Sequence, residues 1–282
     1  MIRLVFTFFI LVSICSYAQQ KAYLIYSAKG KKVTYKKMNK DLLKTDIVLF
    51  GEIHNNPIAH WLTLEVAKTI HKKRPIQIGL EMFENHQQEL LDEYLTSKIT
   101  EDLFINNEGL WSNFKTDYYP LIKWAKQRGI KVNSTNITRK YATSVFKEGF
   151  GVLDTLSNNE KERIAPLPIP FDGSLPQYQK MLTMMEGHGG ENLVKAQAIK
   201  DATMAHSILK HRKDNSLYYH VNGCYHSDFY EGIVWYLKQY DKNISLKTIT
   251  TVEQKNIYKL NKEHLGKADF IICVPETMTK TY

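Results

Sequence analysis

Cysteine is scarce in this sequence, which has 282 residues and three thiols, at Cys15, Cys224 and Cys273. Three thiols cannot build the disulfide framework that holds many small secreted domains together. There is also no long low-complexity tract and no internal repeat with a period of about 20–50 residues, which excludes repeat arrays and argues against disorder. The fold must therefore rest on a hydrophobic core, for which a hydrophobic content of 43% is sufficient.

A nucleic-acid-binding module is also missing, although the formal net charge is +9. The lysines are dispersed and are locally enriched only in "KGKK" (29–32) and "KK" (36–37). Dispersed lysines are typical of a solvated surface, and basic charge alone does not indicate a nucleic-acid partner. We expect no such partner, and attraction to an anionic ligand or membrane face remains the weaker alternative.

The first 18 residues differ from the rest of the chain. Arg3 precedes the apolar run "LVFTFFILVSIC" (4–15), and the small residues Ser16 and Ala18 precede Gln19. This order is typical of a secretory signal peptide, and the run is too short to span a bilayer. We expect 1–18 to be removed and 19–282 to form one α/β domain located in the periplasm or at the outer-membrane or cell surface.

The cysteines bear on membrane attachment. Lipidation of Cys15 requires a small residue directly before it, and Ile14 does not fit that requirement. Membrane contact is therefore expected only if the chain is lipidated. Cys224 and Cys273 would remain after cleavage, and buried free thiols are favoured over a single bridge.

Strand-like runs alternate with helical patterns along most of the chain. The runs are "DIVLF" (46–50), "PIQIGL" (75–80), "IKVNS" (130–134), "SLYYHV" (216–221), "ISLKTIT" (244–250) and "DFIICV" (269–274). This alternation predicts an α/β fold with a mostly parallel sheet flanked by helices. Helical patterns and a proline-rich break at 165–176 predict a smaller helical lobe over about 138–214.

The first strand is followed by a clear helix start. Asn56 is a good N-cap, and Pro57 suits the first helical position because its missing N–H is not needed there. An apolar face at helical spacing follows, formed by Ile58, Trp61, Leu62, Val66 and Ile70.

Three of the runs lead into residues that bind metals or move protons. Glu52 and His54 follow the first run, Glu81 follows the second, and His226 follows "SLYYHV". Ligand sites in open α/β sheets form at the carboxyl ends of strands, where the strand order reverses. If these strands are neighbours, the four side chains converge. Two glutamates and two histidines suit a divalent metal such as Mn or Zn, with a carboxylate left to act as base on bound water.

The spacing Gly-x-x-His occurs twice, at Gly51–His54 and at Gly223–His226. Glycine lets the chain turn sharply off a strand and approach a ligand closely. Two ordinary strand-to-helix turns with capping histidines are the alternative interpretation. His60, within the predicted helix, is either a packed residue or a helper to this site.

A methionine-rich segment forms a second candidate site. Met181, Met184 and Met185 follow Tyr178 and precede His188, which lies in a glycine-rich turn. Methionines at helical spacing usually pack in a core. A haem slot is the alternative, because haem needs an apolar surface with a His or Tyr ligand to the iron.

Five segments, taken together, resemble a known family. They are "GEIHNNPIAH", "LEMFENHQQELLDEYL", "WSNFKTDYYPLIKWAKQRGIKVNSTNI", "VKAQAIKDATMAHSI" and "NGCYHSDFYEGI". Their order resembles the ChaN-like haem-binding uptake family, whose wider superfamily includes the Tiki and TraB proteins and erythromycin esterases. The resemblance covers roughly residues 45–235, with "AQAIKDATMA" its most specific part. This chain departs from the family pattern at Gly189, where a cysteine often follows the histidine, and in lacking a lipobox.

The resemblance implies a secreted or surface-attached bacterial protein of iron supply. It implies haem as ligand and homodimers that hold two haems face to face through a tyrosine and a histidine, here Tyr178 and His188 with Met184 and Met185 beside them. The Tiki-like relatives imply instead a divalent-metal hydrolase that uses Glu52, His54, Glu81 and His226. We therefore rank haem binding first, a metal-dependent peptidase or esterase second, and a surface interaction domain with a vestigial site third. Whether the protein is an enzyme stays open at this point.

Overall fold

The computed structural model describes residues 20–186 and 188–282. The predicted leader at 1–18, including Cys15, lies outside these residues. Over the described ranges, no helix is both long and apolar enough to cross a membrane.

A single eight-stranded sheet organises the described chain. Its strands are β1 Leu24–Ser27, β2 Lys32–Val33, β3 Ile47–Glu52, β4 Ile76–Glu84, β5 Val132–Asn136, β6 Leu217–Gly223, β7 Leu246–Gln254 and β8 Phe270–Pro275. The strand order is β2-β1-β8-β7-β3-β6-β4-β5. Strands β3 to β8 are parallel, whereas β1 pairs antiparallel with β8 and β2 antiparallel with β1. The predicted α/β class and mostly parallel sheet are confirmed, and the two short edge strands are additions that the sequence patterns did not indicate.

Helices cover both faces of the sheet. They are α1 Tyr35–Leu42, α2 Pro57–His71, α3 Gln88–Leu95, α4 Glu101–Ile105, α5 Phe114–Asp117, α6 Tyr119–Gln127, α7 Arg139–Glu148, α8 Asn158–Lys161, α9 Pro176–Met184, α10 Gly190–His211 and α11 Ile233–Tyr240. The expected helical segment at about 138–214 corresponds to α7–α10, with irregular chain through the proline-rich stretch before Pro176.

The alternation of side chains along β3 separates two cores. Val48 and Phe50 face the core under α1, α2 and α6, whereas Ile47 and Leu49 face the core under α7, α10 and α11. Every residue of β3 is buried. Such burial on both faces explains why this strand reads as a continuous apolar run.

The start of α2 predicted from the sequence is confirmed. Asn56 Oδ1 accepts hydrogen bonds from the N–H groups of Ile58 and Ala59 at 3.0 and 3.1 Å, and Pro57 occupies the first turn. The predicted apolar face was wrong at Trp61, whose side chain is 49% exposed and packs edge-on against Tyr23. Both remaining cysteines are free, with Cys273 buried and Cys224 partly buried.

Candidate functional site at the strand ends

The strand order brings the four residues of the predicted strand-end site together. β6 lies between β3 and β4 in the sheet, so the carboxyl ends of all three strands meet at one edge. Glu52 is the last residue of β3, and Glu81 lies inside β4, which runs on to Glu84. The sequence had placed Glu81 after its strand, and the longer strand corrects this boundary. His226 lies in a short 3-10 turn directly after β6.

Glu52 and His54 form one half of the site. His54 Nδ1 lies 2.7 Å from Glu52 Oε1, and the Tyr118 hydroxyl donates to the same oxygen at 2.9 Å. Glu52 is buried, whereas 36% of the His54 side chain is exposed. Trp111 packs edge-on against the His54 ring. The carboxylate thus holds one ring nitrogen and leaves the other edge of the imidazole toward the cleft.

The buried His60 contacts the half of the site that Glu52 and His54 form. Its Nε2 lies 3.0 Å from the carbonyl oxygen of His54, 3.4 Å from Glu52 Oε2 and 3.3 Å from Asp117 Oδ2. His60 is buried, and the Asn113 amide also donates to the His54 carbonyl, at 2.8 Å. His60 is therefore a packed residue that fixes the loop after β3, as the first of the two sequence interpretations stated.

Glu81, His226 and Asp201 form the other half. His226 Nε2 lies 3.1 Å from Glu81 Oε1, and its Nδ1 lies 2.5 Å from Asp201 Oδ1. The second oxygen of Glu81 accepts from the Gly223 N–H at 2.6 Å, and the second oxygen of Asp201 accepts from the Tyr178 hydroxyl at 3.1 Å. The His226 imidazole thus contacts two buried carboxylates, and each carboxylate also accepts a hydrogen bond from a second donor.

Gly51 and Gly223 lie so close to other atoms that a side chain would not fit at either position. A Cβ atom at Gly223 would lie 2.8 Å from His54 Nε2 and 3.6 Å from Glu81 Oε2. A Cβ atom at Gly51 would lie 3.0 Å from the Cα atom of Cys224. Only a residue without a side chain lets the two halves meet at these distances, so both Gly-x-x-His motifs do more than end a strand.

The charges of the second half stabilise one another. Burial opposes the charged form of His226, but Glu81 and Asp201 outweigh it and raise the pKa of His226 to about 10. Burial also opposes ionisation of Glu81, yet the charge of His226 lowers the pKa of Glu81 to about 2. Burial keeps the pKa of Asp201 above its usual value, although His226 opposes this shift. Near neutral pH the site therefore contains an imidazolium next to an ionised Glu81.

His54 is the group that can exchange a proton with solvent. Burial lowers its pKa, but the hydrogen bond and charge of Glu52 and the charge of Glu81 reverse this and raise it above the usual value. Burial and the charge of Glu52 raise the pKa of Tyr118 far above that of free tyrosine, so its hydroxyl stays a donor. The arrangement can hold and transfer a proton at His54, with the remaining charges fixed around it.

The fit to a divalent metal is poor. Over residues 20–186 and 188–282, no group of three or more His, Cys, Asp or Glu side chains is arranged to hold a metal ion. The contacts above give the reason: Glu81 and Asp201 both engage His226, and Glu52 Oε1 engages His54, so these potential ligands bind one another. Glu52 Oε2 is the one oxygen of these three carboxylates without a hydrogen-bond partner among the described residues. The predicted convergence of the four residues does occur, and their predicted use as a metal site is not supported.

The predicted haem-binding residues are split between the interior and the surface. Tyr178 is buried at the strand-end site, where Asp201 engages its hydroxyl. Met184 and Met185 are 64% and 49% exposed, and His188 is also exposed. The structure therefore does not bring Tyr178 to the surface on which His188 lies, and the methionines do not pack in a core.

Sequence reasoning missed three residues of the site: Asp201, Gln197 and Tyr118. Gln197, on α10, lies 2.9 Å from His226 Nδ1. A signal existed, because Gln197 and Asp201 both belong to the "AQAIKDATMA" segment and Tyr118 to "DYYP". To predict their role from the sequence, one would need to know that α10 and the segment before α6 pack against the strand ends.

Comparison with known proteins identifies the family. A family model described as haem-binding uptake, Tiki superfamily, ChaN matches residues 38–237. The chain belongs to this ChaN family. The resemblance read from the five sequence segments is thereby confirmed, and the strand-end site lies within the matched range.

Solved structures share the ChaN fold. The ChaN protein of Campylobacter jejuni, described with cofacial haem binding, is 18% identical, with 89% of this chain and 96% of that chain covered and a TM-score of 0.66. A Bacillus cereus protein is 12% identical, with 88% and 93% covered and a TM-score of 0.50. At such low identity, both likenesses show the fold alone. No curated protein matches the sequence.

Proposed function

We propose that this protein is a secreted or envelope-associated haem-binding protein that serves iron acquisition. The observation that carries the proposal is an exposed apolar surface in a member of a haem-binding family. We call Met184, Met185, His188 and Tyr225 the methionine face. The Tyr225 hydroxyl lies 3.3 Å from Met184 Sδ, which links the end of α9 to the turn after β6. Met184 and Met185 are adjacent and exposed, and with Tyr225 they form a contiguous apolar patch, which is the kind of surface that suits an apolar ligand.

The methionine face suits haem chemically. Haem, when bound, supplies a flat apolar macrocycle and an iron that accepts an axial ligand. Methionine side chains adapt to flat apolar partners, and His188 provides an imidazole that burial does not block. We therefore propose Met184 and Met185 as haem contacts and His188 as the iron ligand. Tyr178, buried and bonded to Asp201, is assigned to the strand-end site instead.

Cofacial haem binding in the Campylobacter jejuni protein supports a dimer here. An exposed haem on one protomer would leave one apolar surface in water, and a second copy with its own haem would cover it. We propose that haem brings two copies together through the methionine face. Sedimentation velocity with and without haemin tests this, because the proposal predicts a monomer that becomes a dimer only with haemin.

The proposal is tested by titrating the protein with haemin and following the Soret band. We expect a saturable, shifted band in the wild type and its loss or displacement in His188→Ala. His86→Ala, which removes another exposed histidine, is the matched control and should leave the band unchanged. A wild type that produces no saturable change would overturn the proposal.

A metal-dependent hydrolase of the Tiki type has less support, because the strand-end carboxylates are engaged by histidines and a backbone N–H. An interaction domain with a vestigial site predicts neither haem nor metal binding, so the same titration distinguishes it from the main proposal. Elemental analysis after incubation with Mn or Zn tests the hydrolase alternative, because that alternative requires a bound metal ion.

A further inference from the structure

A cavity lined by polar and charged residues lies beside β5, the strand at the edge of the sheet opposite β2. We call it the edge cavity, and its volume is about 160 Å3. Since a water molecule takes up roughly 30 Å3 of liquid, the edge cavity has room for a group of about five heavy atoms. None of its lining residues belongs to the strand-end site or to the methionine face.

Basic side chains from two separate segments line the edge cavity. Arg163 comes from the loop after α8, while His206, Lys210 and His211 come from the last turns of α10. Glu162 is the one carboxylate in the lining. Among the described residues, neither Arg163 nor Lys210 has a carboxylate within 4.0 Å. Two cations without an ion-pair partner in the described part of the chain therefore line the same small space, together with the carboxylate of Glu162.

The segment that carries Arg163 is held in place on both sides. The Asn85 side chain donates to the carbonyl oxygen of Arg163, and the Ala165 N–H donates to Thr203 Oγ1 on α10 at 3.2 Å. Ile164 and Ala165 are buried between these contacts. The position of Arg163 relative to α10 is thus fixed by the fold, although its own side chain is exposed.

Hydrogen bonds hold two of the polar side chains that line the edge cavity. Gln88 Oε1 accepts from both the N–H and the hydroxyl of Ser134, at 2.7 and 3.0 Å. His211 Nδ1 donates to the carbonyl oxygen of Ser207 at 2.9 Å, so in the neutral ring Nε2 is an acceptor, and the donors to an anion in the edge cavity are Arg163 and Lys210. Burial is the main cause that lowers the pKa of both His206 and His211, and the charge of Lys210 adds to the lowering, so the positive charge of the edge cavity comes from Arg163 and Lys210.

We propose that the edge cavity is a binding site for a phosphate-class dianion, either inorganic phosphate or the phosphate group of a small phosphomonoester. Guanidinium and ammonium groups from different directions match the three or more oxygens of a tetrahedral phosphate. A monocarboxylate has two oxygens in one plane and would leave some donors without a partner. The site is independent of haem and goes beyond the function proposed above.

The test is isothermal titration calorimetry of the full protein at fixed ionic strength, with inorganic phosphate, glycerol 3-phosphate and acetate as probes. We expect saturable binding of one or both phosphate compounds, and acetate at least about tenfold weaker. Stronger binding of glycerol 3-phosphate would identify the phosphomonoester as the ligand class, and stronger binding of inorganic phosphate the free anion. Absence of saturable heat with both, or acetate as the best ligand, would overturn the proposal.

Matched variants distinguish a specific phosphate site from non-specific attraction by positive charge. Arg163→Gln with Lys210→Gln should weaken phosphate binding at least about tenfold, because charged hydrogen bonds are lost. Arg128→Gln with Lys147→Gln removes the same charge at exposed positions outside the edge cavity and should change the affinity less than about twofold. Equal weakening in both double variants would contradict the proposal. If the first double variant does not fold, Lys210→Gln alone must still weaken binding by at least about threefold.

Discussion

His54 Nδ1 lies 2.7 Å from Glu52 Oε1, and this pair joins a buried carboxylate to the one imidazole of the strand-end site that reaches solvent. The pair faces the second half of the site across Gly223. Its geometry makes the proton affinity of His54 depend on Glu52, and that dependence can be measured.

We predict that Glu52→Gln lowers the pKa of His54. Burial alone would lower that pKa, and the hydrogen bond and charge of Glu52 are what reverse it. Two-dimensional NMR of the imidazole protons across a pH titration measures the change. Glu84→Gln, next to the surface residue His86, is the control and should leave His54 unaffected. An unchanged His54 pKa in Glu52→Gln would show that the pair is not coupled as described.

Asp201→Asn should be strongly destabilising. Asp201 lies 2.5 Å from His226, and removing one partner of a buried ion pair costs about 3–5 kcal/mol. Urea unfolding at neutral pH gives the free energy of unfolding. Asp241→Asn removes a surface partner of Arg212, at 3.8 Å, and should cost less than about 1 kcal/mol. Similar losses in the two variants would contradict the buried network.

The stability of the protein should depend on pH through His226 and Glu81. The folded-state pKa of His226 is raised to about 10, so its contribution is full below about pH 6.5 and disappears as pH rises through 10. The pKa of Glu81 is lowered to about 2, so its contribution is full above its ordinary pKa and disappears as pH falls toward 2. The free energy of unfolding of the wild type should therefore fall between about pH 6.5 and 10 more steeply than that of His226→Gln. Parallel pH profiles would refute this linkage.

Gly223→Ala should disturb the junction between the two halves. The added Cβ atom would lie 2.8 Å from His54 Nε2, so the ring must move, and overpacking of this kind costs about 1–3 kcal/mol. Gly151→Ala is the matched control, since a Cβ atom there meets no atom within 4 Å. We expect the NMR signals of His54 to shift in Gly223→Ala and to stay in place in Gly151→Ala. Unchanged His54 signals in both variants would show that position 223 and the His54 ring do not lie close together.

Local patterns predicted much of the sheet and four of the residues that meet at the strand ends. The runs that became β3, β4 and β6 are apolar because both faces of the central strands are buried, and the polar residues at their ends stand out against that background. The cap at Asn56 and the break between α9 and α10 also depend on neighbouring residues alone. Such features are set by side chains within a few positions of one another.

The remaining features depend on contacts between distant segments. Asp201 meets His226 because α10 packs across the sheet, and the exposure of Met184 and Met185 depends on where α9 ends relative to the turn after β6. The antiparallel β1–β2 edge is short, and the pairing of β1 with β8 joins opposite ends of the chain. Neither periodicity nor capping signals contain this information.

The most direct test of the account compares the haemin affinity of two variants by Soret titration. Met184→Ala with Met185→Ala removes the apolar part of the methionine face, and Glu81→Gln alters the strand-end site. The account predicts that the first variant binds haemin at least about tenfold more weakly than the wild type, while the second stays within about twofold if folded. Loss of affinity only in Glu81→Gln would contradict it and place haem at the strand ends.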